Sequence, residues 1–500
     1  MNRALKRISV AVLVMFLLLL INVNYLQGFE TTSLSTRPFN IRAVSAANQM
    51  QRGDIITADG VKIASTTPTN DLYKYLRTYA NGPLYAPVTG FDSIYSATGV
   101  EHAEDSLLSG TGSQLEFRNF IDMITNKPQR GATVQVTINS KAQQAAYQGL
   151  QSALQGTNRL GGVVALNPST GAILAMASFP SYDPNKLAVH DGNALTTYDK
   201  QLLRQSPSPL LNNATQTTLP PGSTFKIVTS SAWLGALATR NPNSMVNSPQ
   251  VLTLPQTTNQ LHNDANEVCG NAGATGQTTI LWAFSQSCDT TFGQLGMDLG
   301  GGALHTAAGA FGMNANLDIP GVTVAPSQYI TPPSLAETAY SAIGQFSDTV
   351  TPLQEAMFAA AIANGGSLMK PYLIQQVTAS DLSVVDNTQP QQLSQPVSPT
   401  VANDVKQMMV AVTQQPQGTA FAFNAANEGG IVIAGKTGTA QNQLNGASPN
   451  PDAVFTAFAP ADNPKIAVGV ILQGAGYGAQ AAAPIAAAVI KAYLATLGTR

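Results

Sequence analysis

The sequence predicts an α+β protein, and three observations lead there. Strand patterns stand early in the chain, at 133–138 and 161–177. They return late, at 430–434 with its continuation, at 453–458 and at 466–472. The third of the chain between them is rich in Ala, Gly and Thr and mostly helical in pattern. Strands, then many helices, then strands and a closing helix imply one large domain whose sheet is built from both ends of its sequence. A smaller unit and a single apolar helix precede it.

The elements follow in order. Arg3, Lys6 and Arg7 precede Ile8 to Ile21, an almost unbroken apolar run that Val23, Tyr25 and Leu26 extend past Asn22 and Asn24. About 19 such residues cross a bilayer. The basic flank predicts residues 1–7 in the cytoplasm, 8–27 as the span and everything after it outside the cytoplasm. A cleaved signal peptide would need small residues at −3 and −1, and Asn22 to Phe29 offers no clear pair, so the reading is an uncleaved anchor. Residues 28–132 read as a separate unit. Arg52 to Ile56 and Asp59 to Ala64 form two short strands around an Asp-Gly turn. Tyr73 to Gly131 is rich in Gly, Ser and Tyr and holds no catalytic cluster, which suits a pedestal or contact module.

Residues 133–500 form the large domain. Lys141 to Leu154 is helical in pattern. Gly161 to Ala177 reads as a hairpin around Asn167-Pro168-Ser169-Thr170-Gly171, and its strands are too apolar for a solvated sheet face. Val401 to Thr413 and Ala482 to Leu497 are predicted helices.

Charged residues are 10% of the chain and the net charge is −2, so no basic field exists to draw nucleic acid. His102, His190, His262 and His305 are far apart and match no metal-ligand spacing. Cys269 and Cys288 are the only cysteines. Outside the cytoplasm they can oxidise, and a bridge over their spacing of 19 would contribute about 3 kcal/mol on the chain-entropy model. The sequence leaves that pairing open.

Chemistry concentrates at Pro220-Pro221-Gly222-Ser223-Thr224-Phe225-Lys226. The prolines forbid a preceding helix and Gly222 permits a tight turn. Phe225, Val228, Trp233, Leu234 and Leu237 then recur at helical spacing, which predicts a mostly buried helix. Residues three apart share a helix face, so Ser223 and Lys226 are neighbours. A serine hydroxyl needs a base, and a lysine whose pKa is lowered can be one. A second Ser-x-x-Lys, Ser367 to Lys370, runs into Pro371 and reads as a connection. Two more clusters follow. One is Ser285-Gln286-Ser287-Cys288-Asp289. The other is Gly435-Lys436-Thr437-Gly438-Thr439-Ala440, on a predicted strand. Lys436 can hold an anionic group or repel charge from Lys226. Gly438 leaves room for another backbone, and the Thr439 N–H can join the free N–H groups of the helix start in holding an oxyanion.

Ser223-x-x-Lys226, Ser287-x-Asp289 and Lys436-Thr437-Gly438, in that order, resemble the three-motif signature of serine β-lactamases and penicillin-binding proteins. Further stretches are similar to the class B penicillin-binding proteins: Arg52-Gly53-x-Ile55, Tyr95 to Glu101, Val163 to Gly171, Gly344-Gln345, Asn364-Gly365-Gly366 before Pro371, and Phe458-Ala459-Pro460. The size and single anchor look most like the actinobacterial branch.

That resemblance implies a transpeptidase domain with a central antiparallel sheet flanked by helices, a smaller N-terminal pedestal and one transmembrane helix. It implies a D,D-transpeptidase of the cell membrane, single-pass, serving wall synthesis in growth and division. Ser223 would attack a stem peptide ending in D-Ala-D-Ala, or a β-lactam. Lys226 would be the base and Ser287 a proton relay. Lys436 and Thr437 would hold the substrate carboxylate, with Asp289, Gly438 and Thr439 completing the binding site. It implies neither metal nor organic cofactor, and a membrane glycosyltransferase of the shape and division type as partner. The family's second motif usually ends in Asn, and this chain has Asp289, which as a carboxylate only accepts hydrogen bonds. A soluble β-lactamase shares the motifs but needs neither the 28–132 unit nor an anchor. A non-catalytic β-lactam sensor or scaffold would not need Ser223, Lys226, Ser287 and Lys436 intact.

Overall fold

The computed structural model describes residues 2–28, 30, 50–112, 114, 130–264, 269, 276–441 and 450–498. Residues 31–49 and 115–129 of the expected N-terminal unit lie outside them. Helix Asn2–Gly28 carries an exposed 22-residue apolar stretch, Leu5–Leu26, long enough to cross a membrane. The Ala-rich helix Ala483–Thr496 is also apolar, but its inward side chains are buried in the large domain.

Five antiparallel strands form the central sheet, in the order Ala434–Ala440, Asp452–Ala459, Ile466–Leu472, Gly161–Leu166, Ile173–Phe179. The hairpin of 161–177 therefore joins strands from the last 70 residues, as the two-ended pattern implies. Every residue of Gly161–Leu166, Asp452–Ala459 and Ile466–Leu472 is buried. Such strands need both faces covered, which is why they read as apolar runs and not as alternation. Helix Pro352–Ala363 packs on the sheet, and helices Ser140–Leu154 and Ala483–Thr496 pack on it and on each other. Gly469 lets the first lie close: a Cβ there would stand 2.4 Å from the Ala356 nitrogen and the Pro352 oxygen.

The strand expected from Gly430 begins only at Ala434. Its partner ends at Ala459 because Pro460 has no N–H to continue the ladder, and Val432 takes a single bond from Ala461.

A second sheet has six strands, in the order Val384–Asn387, Ile374–Thr378, Thr133–Val136, Ile55–Ile56, Lys62–Pro68, Tyr75–Tyr79. Ile55–Ile56 pairs parallel with Thr133–Val136 and antiparallel with the hairpin strand Lys62–Pro68. The sheet draws strands from both sides of residue 132. Beside it, Glu101 is fully buried between two guanidiniums, with Arg77 Nε 2.6 Å and Arg52 Nε 2.7 Å away. Burial alone would raise the Glu101 carboxyl, and the two arginines hold it below its ordinary range instead.

Candidate active site

Gly222–Phe225 is a 3-10 turn that runs directly into the α-helix Lys226–Gly235. In a 3-10 turn residues three apart eclipse, so Ser223 and Lys226 stand one above the other, with Ser223 Oγ 2.9 Å from Lys226 Nζ. The turn needs Gly222. Its φ is +56°, and a Cβ there would stand 2.8 Å from the Thr439 oxygen. Its N–H bonds the Gly344 carbonyl at 3.0 Å. The helix stops at Gly235, so Leu237, expected on its buried face, is exposed.

Ser287 lies between helices Ile280–Ser285 and Asp289–Leu299 with φ +63°, a left-handed conformation costing a non-glycine residue on the order of 1 kcal/mol. That backbone brings both its oxygens to lysines. Lys226 Nζ is 2.8 Å from the Ser287 carbonyl and 3.2 Å from its Oγ, and Lys436 Nζ is 2.8 Å from the same Oγ. The following Cys288 is joined by a disulfide to Cys269, their Cα atoms 5.7 Å apart. Asn263 Oδ1 takes the Thr290 N–H at 3.0 Å, fixing the helix start. Asp289 Oδ1 is 2.5 Å from Lys226 Nζ.

Lys436, Thr437, Gly438 and Thr439 lie on the edge strand of the central sheet. Gly438 admits another backbone: a Cβ there would stand 2.7 Å from the Pro221 oxygen. Thr437 Oγ1 is 2.8 Å from Thr419 Oγ1, and Gln345 Nε2 donates to the Thr439 carbonyl at 3.0 Å. Both lysines are fully buried, each with its amine 5.5 Å from an aromatic ring centre, Phe292 for Lys226 and Phe284 for Lys436. Burial pushes the Lys226 amine down, and Asp289 opposes it. Burial, and then repulsion by Lys226, push Lys436 well below its ordinary range. Ser223, Ser287, Asp289 and Thr439 are only half-buried, so a substrate can reach them.

Thr419, Asn263 and Thr224 escape a reading of the sequence. Thr419 stands 18 residues before Thr437 in an unremarked Gly-Thr-Ala stretch, and its hydroxyl finds Thr437 only through the fold.

A hydroxyl on a buried, readily neutralised amine, a second hydroxyl shared by two amines and an adjoining strand with a lysine and two threonines can form and break an ester. On this sheet, with the lysine strand at its edge, they define a penicillin-recognising serine acyltransferase. Residues 161–491 match the penicillin binding protein transpeptidase domain, and 52–134 the penicillin binding protein A dimerisation domain. The chain belongs to the penicillin-binding protein transpeptidase family, in its class B branch. It is 41% identical to the peptidoglycan D,D-transpeptidase PbpA of Mycolicibacterium smegmatis, over 99% of each chain, and 39% identical to that of Mycobacterium tuberculosis with the same coverage. Among solved structures it resembles penicillin-binding protein A from M. tuberculosis in a ceftriaxone acyl-enzyme complex. There the TM-score is 0.84 and the identity 38%, covering 90% of this chain and 100% of that one. A penicillin G acyl-enzyme complex of the same protein gives a TM-score of 0.82 at 38% identity, covering 89% and 100%.

Proposed function

We propose that the chain is a peptidoglycan D,D-transpeptidase that cross-links stem peptides ending in D-Ala-D-Ala through an ester on Ser223, and that β-lactams acylate the same serine. The observation that carries this is the unbroken chain of contacts from Ser223 Oγ through Lys226 Nζ and Ser287 Oγ to Lys436 Nζ. Neutral Lys226 takes the Ser223 proton as Oγ attacks the penultimate D-Ala carbonyl. The N–H groups of Ser223 and Thr439 hold the oxyanion. Ser287, in contact with both lysines, hands a proton to the departing D-Ala amine. Lys436 and Thr437 bind the substrate carboxylate, Gly438 seats their strand against the serine turn, and Asp289 borders the site. An amine of a neighbouring stem then attacks the ester, and Ser223 recovers its proton.

Residues 1–7 would lie in the cytoplasm, 8–27 in the cytoplasmic membrane, and 28–132 would form a pedestal for the transpeptidase domain at 133–500 outside. A membrane glycosyltransferase of the shape and division type would supply the glycan strands. The test is mass spectrometry after penicillin treatment. One drug mass on the Ser223 peptide, lost in Ser223→Ala, is expected, together with turnover of a D-Ala-D-Ala thioester. Labelling at Ser367 would overturn the assignment, labelling without turnover would mark a sensor, and rapid release of hydrolysed drug would mark a β-lactamase.

A further inference from the structure

Thr224 follows the proposed nucleophile and is fully buried. Its Oγ1 lies 2.9 Å from the Pro221 carbonyl oxygen and 2.7 Å from Glu355 Oε1. A hydroxyl has one proton to give, and a carbonyl and an ionised carboxylate both only accept. Two such contacts on one hydroxyl balance only if the proton of the second comes from Glu355. The other carboxyl oxygen, Oε2, is buried and has no hydrogen-bond partner. An anion in that position would be poorly compensated; a neutral acid leaves only a carbonyl oxygen unpaired.

The surroundings agree. Glu355 is the only titratable residue of helix Pro352–Ala363. Strands Gly161–Leu166 and Ile466–Leu472, which pack on that helix, carry none. Strand Asp452–Ala459 carries only Asp452, whose Oδ1 takes the Gly474 N–H. Helix Pro399–Gln414 carries Asp404 and Lys406. Lys226, next to the turn, has its amine on Ser287 and Asp289, and Lys436 has its own on Ser287 and the Thr437 carbonyl.

We propose that Glu355 is a positioning residue for Ser223: as a neutral acid it donates its proton to Thr224, whose own proton goes to the Pro221 carbonyl, and so fixes the serine turn against the Lys436 strand. The contact is direct, because the Pro221 oxygen and Thr224 Cγ2 would lie 2.7 Å and 3.1 Å from a Cβ on Gly438. Thr456 Oγ1 donates to the Glu355 carbonyl at 2.5 Å and ties the helix to the next strand. When Glu355 ionises, Thr224 turns its proton to the carboxylate and the Pro221 carbonyl loses its donor. Burial raises this carboxyl to about 8, with the Thr224 bond opposing, so the change falls within reach of experiment.

The inference rests on the Ser223 reading for its kinetic arm and not for its spectroscopic one. Infrared difference spectra of wild type minus Glu355→Gln are expected to contain a neutral-carboxyl C=O band at pH 7 that fades as the pH passes about 8. The subtraction removes the other buried acid raised to about 8, Asp348. Absence of the band at pH 7 overturns the proposal, whether or not Ser223 is acylated. In the kinetic arm, penicillin acylation of wild type falls across the same pH range. The amide of Glu355→Gln can still donate, so it keeps the neutral-pH rate within about threefold and loses the alkaline fall, whereas Glu355→Leu is slower by about tenfold, the scale of one lost hydrogen bond. An alkaline fall that persists unchanged in Glu355→Gln overturns the proposal. Should that variant not fold, Thr224→Val is expected to be slower by about tenfold and flat over this pH range, with Thr224→Ser restoring both rate and fall. A wild type that penicillin never labels sinks the Ser223 reading and leaves the infrared result standing.

Discussion

Asp289 Oδ1 lies 2.5 Å from Lys226 Nζ and makes no such bond to Lys436, so the acidic residue of the second motif is partnered with the lysine of the first. The lysine proposed to accept the Ser223 proton is thus held next to a group that favours its charged form. Burial wins, because Lys226 is fully enclosed while Asp289 keeps about a quarter of its side chain, 24%, in solvent.

Replacing Asp289 by Asn removes the charge that opposes burial, and the Lys226 pKa falls further. Lys226 is then neutral down to a lower pH. The acidic limb of the acylation-rate profile is expected to move to lower pH. Second-order acylation rates against pH for both forms check this. An unmoved limb, or one displaced to higher pH, would refute the electrostatic role of Asp289.

The Cys269–Cys288 bridge closes a sequence separation of 19 next to the strained Ser287 backbone. Replacing both cysteines by Ser is expected to cost about 3 kcal/mol of stability from loop entropy. Acylation should suffer as well, since Ser287 loses the restraint on its left-handed conformation. Denaturant titration and penicillin acylation of the double variant measure the two effects. Full acylation in a destabilised protein would confine the bridge to stability.

Gly438→Ala drives a Cβ to 2.7 Å from the Pro221 oxygen and 3.0 Å from Val454 Cβ, neighbours fixed by backbone and core. Overpacking of this kind costs about 1–3 kcal/mol. The strand must also move off the serine turn, so acylation is expected to drop by at least about tenfold. Gly302→Ala is the control. It lies in helix Gly301–Ala310 with nothing within 4 Å of its Cβ, and should stabilise by about 0.4–1 kcal/mol without touching acylation.

Thr419→Val removes the hydroxyl partner of Thr437, 2.8 Å away. If Thr437 holds the substrate carboxylate, its hydroxyl is left free to rotate. Penicillin acylation is expected to slow by about three- to tenfold with little change in melting temperature, because Thr419 is exposed. A wild-type rate in this variant would separate Thr419 from the site.

The sequence carries the site where the site is local. Ser223 and Lys226 are three residues apart, and that spacing brings them together whether the turn is 3-10 or α, which is also why periodicity could not tell the two apart. Lys436 to Thr439 declares itself because a glycine between hydroxyls in a strand has few packing reasons to exist. What stayed hidden depends on distant partners. Thr224 meets Glu355 across 131 positions, and Thr290 meets Asn263 across 27. In the sequence Glu355 is one carboxyl in an apolar helix, and only the fold places it under the serine turn. The two-ended central sheet was legible because its three inner strands are buried on both faces and strongly apolar. Strands Ile374–Thr378 and Val384–Asn387 gave no comparable signal: they carry polar, partly exposed residues, and the first of them finds its place in the sheet only through Thr133–Val136, more than 200 positions away.

Those two strands have a consequence for the order in which the molecule is made. Ile374–Thr378 is the strand against which Thr133–Val136 lies, so the six-stranded sheet stays incomplete until the chain has emerged past residue 387. The hairpin of 161–179 likewise waits for Ile466–Leu472. Domains usually finish folding in turn, N-terminal first, as synthesis proceeds. Here neither sheet can close early. The edges at 133–136 and 161–166 therefore stay open to wrong pairing until their late partners are made, the first until residue 387 and the second until residue 472.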